Sequence, residues 1–141
     1  MPHPLSVRFH QPDIGARLKS EAGLRRMSSS ALAEELIEEG LRMRRHPSIV
    51  FRDGATGRRA GLVAGPDVWE VVVALVGGDV PPDQREVRAV EVLGLRRDQI
   101  DAALDYYASF PNEIDAEIAA NQAAAAQGEA LWRRRQQLMA G

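Results

Sequence analysis

The sequence of 141 residues contains no cysteine, which excludes disulfide bonds, thiolate metal sites and cysteine nucleophiles together. Aromatic residues make up only 5% of the chain, which is few for one large and well-filled core. We therefore expect small helical modules that are completed by a second subunit.

Long apolar runs are also missing. No run approaches the roughly 20 residues that a membrane-spanning helix needs. The first residues, Met1-Pro2-His3-Pro4, lack the basic and apolar regions of a secretory signal. We expect a soluble protein that is located in the cytoplasm.

The net charge of −2 hides an uneven distribution. Residues 1–60 contain eleven Lys or Arg and seven Asp or Glu, a net charge of +4. Residues 61–141 contain seven and thirteen, a net charge of −6. A basic first part joined to an acidic second part indicates two functions, one of them with a polyanionic partner.

The first forty-five residues predict one strand and two helices. Apolar and polar residues alternate over Leu5–His10, which is typical of a half-buried strand. No second strand follows within hairpin distance, so we expect this strand to pair with its own copy in a homodimer. A helix is predicted from about Gln11 to Ala22, with Gly23 ending it.

A second helix is predicted after a turn over Gly23–Met27. Ser28, Ser29 and Ser30 offer its N-cap, and His46-Pro47 ends it. Its apolar stripe consists of Leu32, Leu36, Ile37, Gly40, Leu41 and Met43. Two acidic pairs also lie on it, and because no histidine or further acid joins them we interpret them as a solvated face rather than a metal site. These acidic residues are Glu34, Glu35, Glu38 and Glu39.

Two stretches of this region match a known family. Leu5–Phe9 matches a ribbon strand, and Met27–Leu32 matches the start of the helix that follows the turn. The region thereby resembles the ribbon–helix–helix DNA-binding family of the Arc, MetJ and CopG type. The resemblance implies that two chains pair their strands into an antiparallel ribbon, which lies in the major groove of DNA.

In such a ribbon, Leu5, Val7 and Phe9 would point into the dimer core, and the opposite side would face DNA. Arg8 could then bond bidentately to a guanine edge, and Ser6 could contact a base or a phosphate. The alternative is a solvated strand edge. The residues predicted on the DNA side are Pro4, Ser6, Arg8 and His10.

The serine triplet is a second predicted DNA contact. Ser28, Ser29 and Ser30 place free backbone N–H groups and the positive end of a helix where a phosphate could dock. The alternative is a plain N-cap.

Residues 46–121 predict a short hairpin followed by helices. Ser48–Phe51 and Arg58–Val63 are strand-like, and turn signals at Asp53-Gly54 and Thr56-Gly57 separate them. The predicted helices are Pro66–Val76, about Asp83–Leu93, about Arg97–Ser109, and from Pro111 to at least Gln127. Gly77-Gly78-Asp79 is expected to end the first of these, and Gly128 to break the last. The expected apolar face of the third consists of Ile100, Ala103, Leu104 and Tyr107.

Three stretches here match a second family: His46–Ile49, Gly57–Gly61 and Leu95–Ile118. They resemble an uncharacterised antitoxin-like domain with a helix-turn-helix core, whose members are commonly encoded beside PIN-like ribonuclease toxins. The sequence departs from that pattern at Gly77–Leu93, which is longer and richer in proline and charge than the usual link between the two helices.

The last twenty residues, Gln122–Gly141, match neither family. Leu131, Trp132 and Leu138 lie there around a basic triplet, Arg133, Arg134 and Arg135. One interpretation is a frayed terminal helix; the other is a partner-binding segment, because Trp and Arg are enriched at interface hot spots. If the partner is a PIN-like nuclease, its acidic metal site is a natural target for an arginine.

No pattern predicts catalysis or a cofactor. His3, His10 and His46 are scattered, and the glycines of 54–65 lack the Lys-Ser/Thr of a phosphate-binding loop. We interpret Arg58 and Arg59 as an edge that faces a phosphate or a partner. We expect no enzyme activity, no metal and no cofactor.

The sequence therefore predicts a mainly α chain. The expected domains are a ribbon–helix–helix at 1–45, a small helical helix-turn-helix-like domain at 46–121 and a partner-binding tail at 122–141. The functional hypothesis is an antitoxin of a type II toxin–antitoxin system that binds operator DNA as a dimer, represses its own operon and neutralises a PIN-like ribonuclease toxin. The alternative is a dimeric ribbon–helix–helix transcriptional regulator without a toxin partner.

Overall fold

The structure is a computed structural model that describes residues 4–76 and 79–141. The expectations for Met1–His3 and for a helix end at Gly77-Gly78 lie outside the described residues. The fold is mainly helical with one two-stranded antiparallel sheet, which confirms the predicted fold class at that level. The chain divides into two compact units, Met1–Arg44 and Arg45–Gly141, here called unit 1 and unit 2.

Unit 1 consists of an N-terminal segment and two helices, α1 (Pro12–Leu24) and α2 (Ser29–Arg45), the last residue of α2 belonging to unit 2. Pro12 suits the first position of α1 because the N–H that proline lacks would have no partner inside the helix. Residues 4–9 have no regular secondary structure in this single chain, so the predicted strand at Leu5–His10 is not formed here.

The turn between the two helices differs from the expected one. Gly23 does not end α1, which continues to Leu24. The left-handed residue that turns the chain is Arg26, with φ of 55°. The N–H of Arg26 donates to the carbonyl of Gly23 (3.2 Å) and that of Met27 to the carbonyl of Ala22 (3.0 Å). These two bonds close the end of α1 in the Schellman pattern, which tolerates a residue other than glycine.

Unit 2 begins with the predicted hairpin, which is confirmed. Strands β1 (Ile49–Gly54) and β2 (Gly57–Leu62) are antiparallel, with Ile49 opposite Leu62 and Gly54 opposite Gly57. The two-residue loop Ala55-Thr56 joins them, and Gly57 follows it with φ of 115°, a conformation that favours glycine.

Four helices follow the hairpin: α3 (Val68–Val76), α4 (Arg85–Leu93), α5 (Arg97–Ser109) and α6 (Pro111–Ala140). A single 3₁₀ turn, Pro82–Gln84, precedes α4. Gly94 ends α4 in a left-handed conformation with φ of 65°, and Pro111 occupies the first turn of α6. The helices therefore begin and end close to the prolines and glycines of the sequence.

The core of unit 2 lies between the hairpin and helices α3, α5 and α6. Its largest fully buried side chain is that of Tyr106, which was not part of the predicted α5 face. Tyr107 packs against the core as predicted, whereas Leu104 is 41% exposed. Tyr106 can be buried because its hydroxyl donates to Glu113 Oε2 (2.8 Å). The other fully buried large side chains are Ile49, Leu62, Val68, Val71, Val72, Ile100 and Ile114.

Helix α6 continues without interruption past Gly128 to Ala140, so the predicted break at Gly128 was wrong. A glycine inside a helix costs only about 1 kcal/mol relative to alanine. The alanines at 123–126 and the long polar side chains after Gly128 favour a helix strongly enough to offset that cost.

Candidate functional site

The predicted ribbon residues lie together on one exposed segment. Pro4, Ser6, Arg8 and His10 are all exposed, and so are the apolar residues between them. Leu5 is 87% exposed, Val7 58% and Phe9 45%. In this single chain the segment thus exposes both its polar and its apolar side chains.

Next to this segment, unit 1 has an apolar groove of about 710 Å³ between α1 and α2. Its apolar lining comes from Phe9, Ile14, Leu18, Leu32, Leu36 and Ile37. Leu36, Ile37 and Leu41 remain about half exposed, although they belong to the apolar stripe predicted for α2. Ala22 and Leu32 are the only hydrophobic side chains of residues 4–44 that are fully buried.

The start of α2 has the predicted cap. The hydroxyl of Ser28 accepts the N–H of Ala31 at 3.0 Å, which makes Ser28 the N-cap. Ser29 and Ser30 occupy the first two helical positions, whose N–H groups have no acceptor inside the helix. An anion bound at a helix N-terminus accepts hydrogen bonds from N–H groups placed in this way.

The acidic face of α2 is less solvated than predicted. Glu38 is exposed and accepts from Arg42 Nε at 2.8 Å, but Glu39 is only 7% exposed. The interpretation of all four glutamates as a solvated face was therefore wrong for Glu39.

The charge division does not follow the structural boundary. Residues 1–44 contain seven Lys or Arg and six Asp or Glu, a net charge of +1, and residues 45–141 contain eleven and fourteen, a net charge of −3. Much of the basic first part thus belongs to unit 2. Within unit 1, Arg17 and Arg25 pair with acids of α1, whereas Arg8 has no ion pair with any described residue.

Unit 2 contains an ion cluster that the sequence patterns did not reveal. The carboxylate of Asp67, just before α3, is 7% exposed and accepts hydrogen bonds from Arg52 Nη2 (2.9 Å), Arg59 Nε and Trp69 Nε1 (3.3 Å). Arg59 therefore lies against an internal acid and not on a free edge, and Arg58 pairs with Asp53. The interpretation as a phosphate- or partner-facing edge was therefore wrong for Arg59, whereas Arg58 is exposed, as such an edge requires.

Glycines make room for this cluster. A Cβ on Gly61 would lie 1.9 Å from Nη2 of Arg52, and a Cβ on Gly54 would collide with the guanidinium of Arg59. The guanidinium of Arg52 also donates to the carbonyls of Leu62 (3.3 Å) and Gly65 (3.1 Å). Gly54 and Gly61 thus leave the space through which the two arginine side chains cross the sheet.

Helix α5 has three exposed carboxylates on one side. Asp98, Asp101 and Asp105 lie on exposed positions of α5, and Asp98 pairs with Arg96 (3.0 Å). The side chain of Gln99 accepts the backbone N–H of Arg96 at the start of the helix (2.9 Å). Three carboxylates at this spacing share one side of a helix and repel a phosphate backbone. This side of α5 is therefore unsuited to contact with DNA.

The tail residues lie on the last turns of α6, and every residue from 122 to 141 is exposed. Leu131 is 63% exposed, Trp132 60% and Leu138 78%. Arg133 pairs with Glu129 at 2.6 Å, whereas Arg134 and Arg135 have no ion pair with any described residue. The structure thus presents the predicted partner-binding residues on a formed helix.

Comparison of the chain with protein-family models, curated proteins and solved structures finds no match. Within residues 4–76 and 79–141, no group of three or more His, Asp or Glu side chains is placed to hold a metal ion. No helix in the same ranges is long and apolar enough to cross a membrane.

Proposed function

We propose that the chain is an antitoxin of a type II toxin–antitoxin system. In this proposal unit 1 forms a ribbon–helix–helix dimer that binds operator DNA and represses the protein's own operon. Unit 2, through α6, neutralises a PIN-like ribonuclease toxin. The observation that carries the proposal is the incomplete core of unit 1, where an alternating apolar segment and an apolar groove are exposed together.

A unit of 44 residues, whose described part 4–44 has two fully buried hydrophobic side chains, cannot hold its fold without a further surface to cover it. Covering a large apolar side chain contributes roughly 1.5 to 3 kcal/mol. A second copy supplies what is missing, because its own segment would pair with residues 4–10 and its own α2 would cover Leu36 and Ile37.

Pairing the two segments as antiparallel strands would separate their side chains onto two faces. Leu5, Val7 and Phe9 would enter the shared core, and Ser6 and Arg8 would form a polar ribbon on the other side. Because Arg8 has no ion pair with a described residue, its guanidinium is available for a base edge. The two N–H groups at the start of α2 would each add a phosphate contact.

The toxin-binding part of the proposal depends on the exposed end of α6. A formed helix with Leu131 and Trp132 on its surface suits the groove of a partner protein, since aromatic anchors and arginines dominate interface energies. The arginines without an ion pair favour an acidic partner. The PIN-like identity of that partner comes from the family resemblance of residues 46–121.

DNA binding is tested by titrating a labelled fragment from upstream of the protein's own coding sequence at several salt concentrations. We expect saturable binding whose affinity falls steeply with salt, because phosphate contacts release counterions. Arg8→Ala should weaken binding about tenfold or more, since each lost base contact costs roughly 1 to 3 kcal/mol.

Lys19→Ala is the matched control, because it removes one exposed positive charge from α1 without touching the ribbon segment. This variant should bind within about twofold of the native chain. Non-saturable binding by the native chain, or equal losses in the two variants, would show that residues 4–10 do not form a DNA-reading ribbon.

A further inference from the structure

Helix α6 packs against the rest of unit 2 through a face that has both apolar and polar residues. Ile114 is fully buried, and Ile118 packs against the same core. Glu113, Glu117 and Asn121 are spaced four residues apart on the adjoining part of that face. Glutamates at this spacing repel each other when both are ionised.

The neighbours of Glu117 in this stripe have partners. Glu113 accepts from the hydroxyl of Tyr106 on α5 (2.8 Å), and Asn121 donates to the backbone carbonyl of Glu117 (2.8 Å) and to Thr56 Oγ1 in the hairpin loop (3.5 Å). Oε2 of Glu117 is buried and has no hydrogen-bond partner among the described residues. If the carboxylate ionised, this oxygen would have no donor to compensate its burial.

The charged groups around Glu117 also oppose its ionisation. Burial, the carboxylate of Glu113 on α6 and that of Asp67 before α3 raise its pKa to about 7, and only Arg59 on β2 acts in the other direction. The guanidinium of Arg59 is itself bound to Asp67, which Arg52 also contacts. The surroundings thus favour a protonated Glu117 while α6 is docked.

We propose that Glu117 is a proton-dependent clasp, which fastens α6 to unit 2 when its carboxyl is protonated and loosens it when the carboxyl ionises. An exposed glutamate titrates near 4.5, so the docked state holds this proton more tightly than the released state. Docking is therefore strongest below about pH 4.5 and weakens as the pH rises through about 7. Because α6 continues into residues 122–141, the clasp also sets how firmly that exposed end is anchored.

Hydrogen exchange of the full chain tests the clasp, with exchange rates converted to protection factors so that the intrinsic effect of pH is removed. Between pH 5 and pH 8 we expect the protection of residues 111–121 to fall about tenfold or more in the native chain. Glu117→Gln cannot ionise, and its protection should stay constant over that range. Glu129→Gln changes an exposed glutamate of the same helix and should retain the native pH dependence.

A direct titration keeps the proposal testable if Glu117→Gln does not fold. The side-chain carboxyl of Glu117 in the native chain, followed by carbon NMR, should titrate with a midpoint near 7, well above the ordinary value of a glutamate. An ordinary midpoint for Glu117, or a fall in protection that Glu117→Gln leaves unchanged, would overturn the proposal.

Discussion

Asp67 is the buried acid of unit 2 that accepts three side-chain hydrogen bonds. Its carboxylate meets two arginines from the hairpin and the indole of Trp69 from α3, so one side chain ties the sheet to the first helix after it. The carboxylate is 7% exposed, and the two arginine side chains are 35% and 26% exposed. Loss of the negative charge would leave two guanidinium groups close together with no acid between them.

We expect Asp67→Asn to lower the free energy of unfolding of unit 2 by about 2 kcal/mol, less than for a fully buried pair because solvent reaches both arginines. Urea denaturation followed by the fluorescence of Trp69 measures this, in a Trp132→Phe background that removes the other, exposed tryptophan. The exposed Asp83→Asn is the control and should change the value by less than about 0.5 kcal/mol. Equal stabilities of the two variants would show that the cluster does not hold the hairpin to α3.

This cluster could not be predicted from sequence patterns. Asp67 was expected only as part of a helix start, and Arg59 as part of a surface edge. The partners of Asp67 lie 15 and 8 residues away, and they meet it only because of the hairpin register and the space left by Gly61. The burial of Oε2 of Glu117 likewise depends on how α6 is rotated against α3 and α5.

At the scale of elements, strand-like runs and turn residues in the sequence predicted most of the helices and strands in their observed order. The hairpin follows from two strand-like runs around paired turn signals, and prolines or glycines mark the ends of α4 and α6. The errors are also local: Gly23 and Gly128 lie inside helices because neighbouring residues with high helix propensity outweigh one glycine. The strand expected at Leu5–His10 needs a partner strand from a second chain, and the structure contains one chain.

The exposed end of α6 leads to a prediction about the toxin. Truncation after Gln127 should abolish or strongly weaken co-purification with the product of an adjacent reading frame that has several spaced Asp or Glu residues. Every removed residue is exposed, so the unfolding transition of unit 2 should not change. A double variant, Leu131→Ser with Trp132→Ser, should weaken the complex without shortening the helix.

Gln136→Ser with Gln137→Ser is the control for that double variant, because it alters the same turns of α6 without removing an apolar anchor or a charge. We expect this control to retain the complex. An undiminished complex after truncation would remove the tail from the toxin interface. Operator binding without any complex would favour the dimeric regulator over the antitoxin.

At the scale of the whole molecule, the two units differ in how completely each buries its apolar side chains. Unit 2 buries a continuous core between its hairpin and helices, whereas unit 1 leaves its apolar segment and groove exposed. Its net charge of +1 is too small for overall charge alone to bring DNA to it, so binding must come from placed groups such as Arg8. Both features make the second copy the central requirement of the proposed function.

Sedimentation equilibrium of the full chain, over a range of protein concentrations, tests that requirement most directly. We predict twice the mass of a single chain for the native protein. Ile37→Asp, which places a charge in the exposed groove without changing a buried residue, should shift the equilibrium to single chains. A native protein that has the mass of one chain at every concentration, with α1 and α2 still folded, would contradict the proposal that unit 1 is half of a DNA-binding dimer.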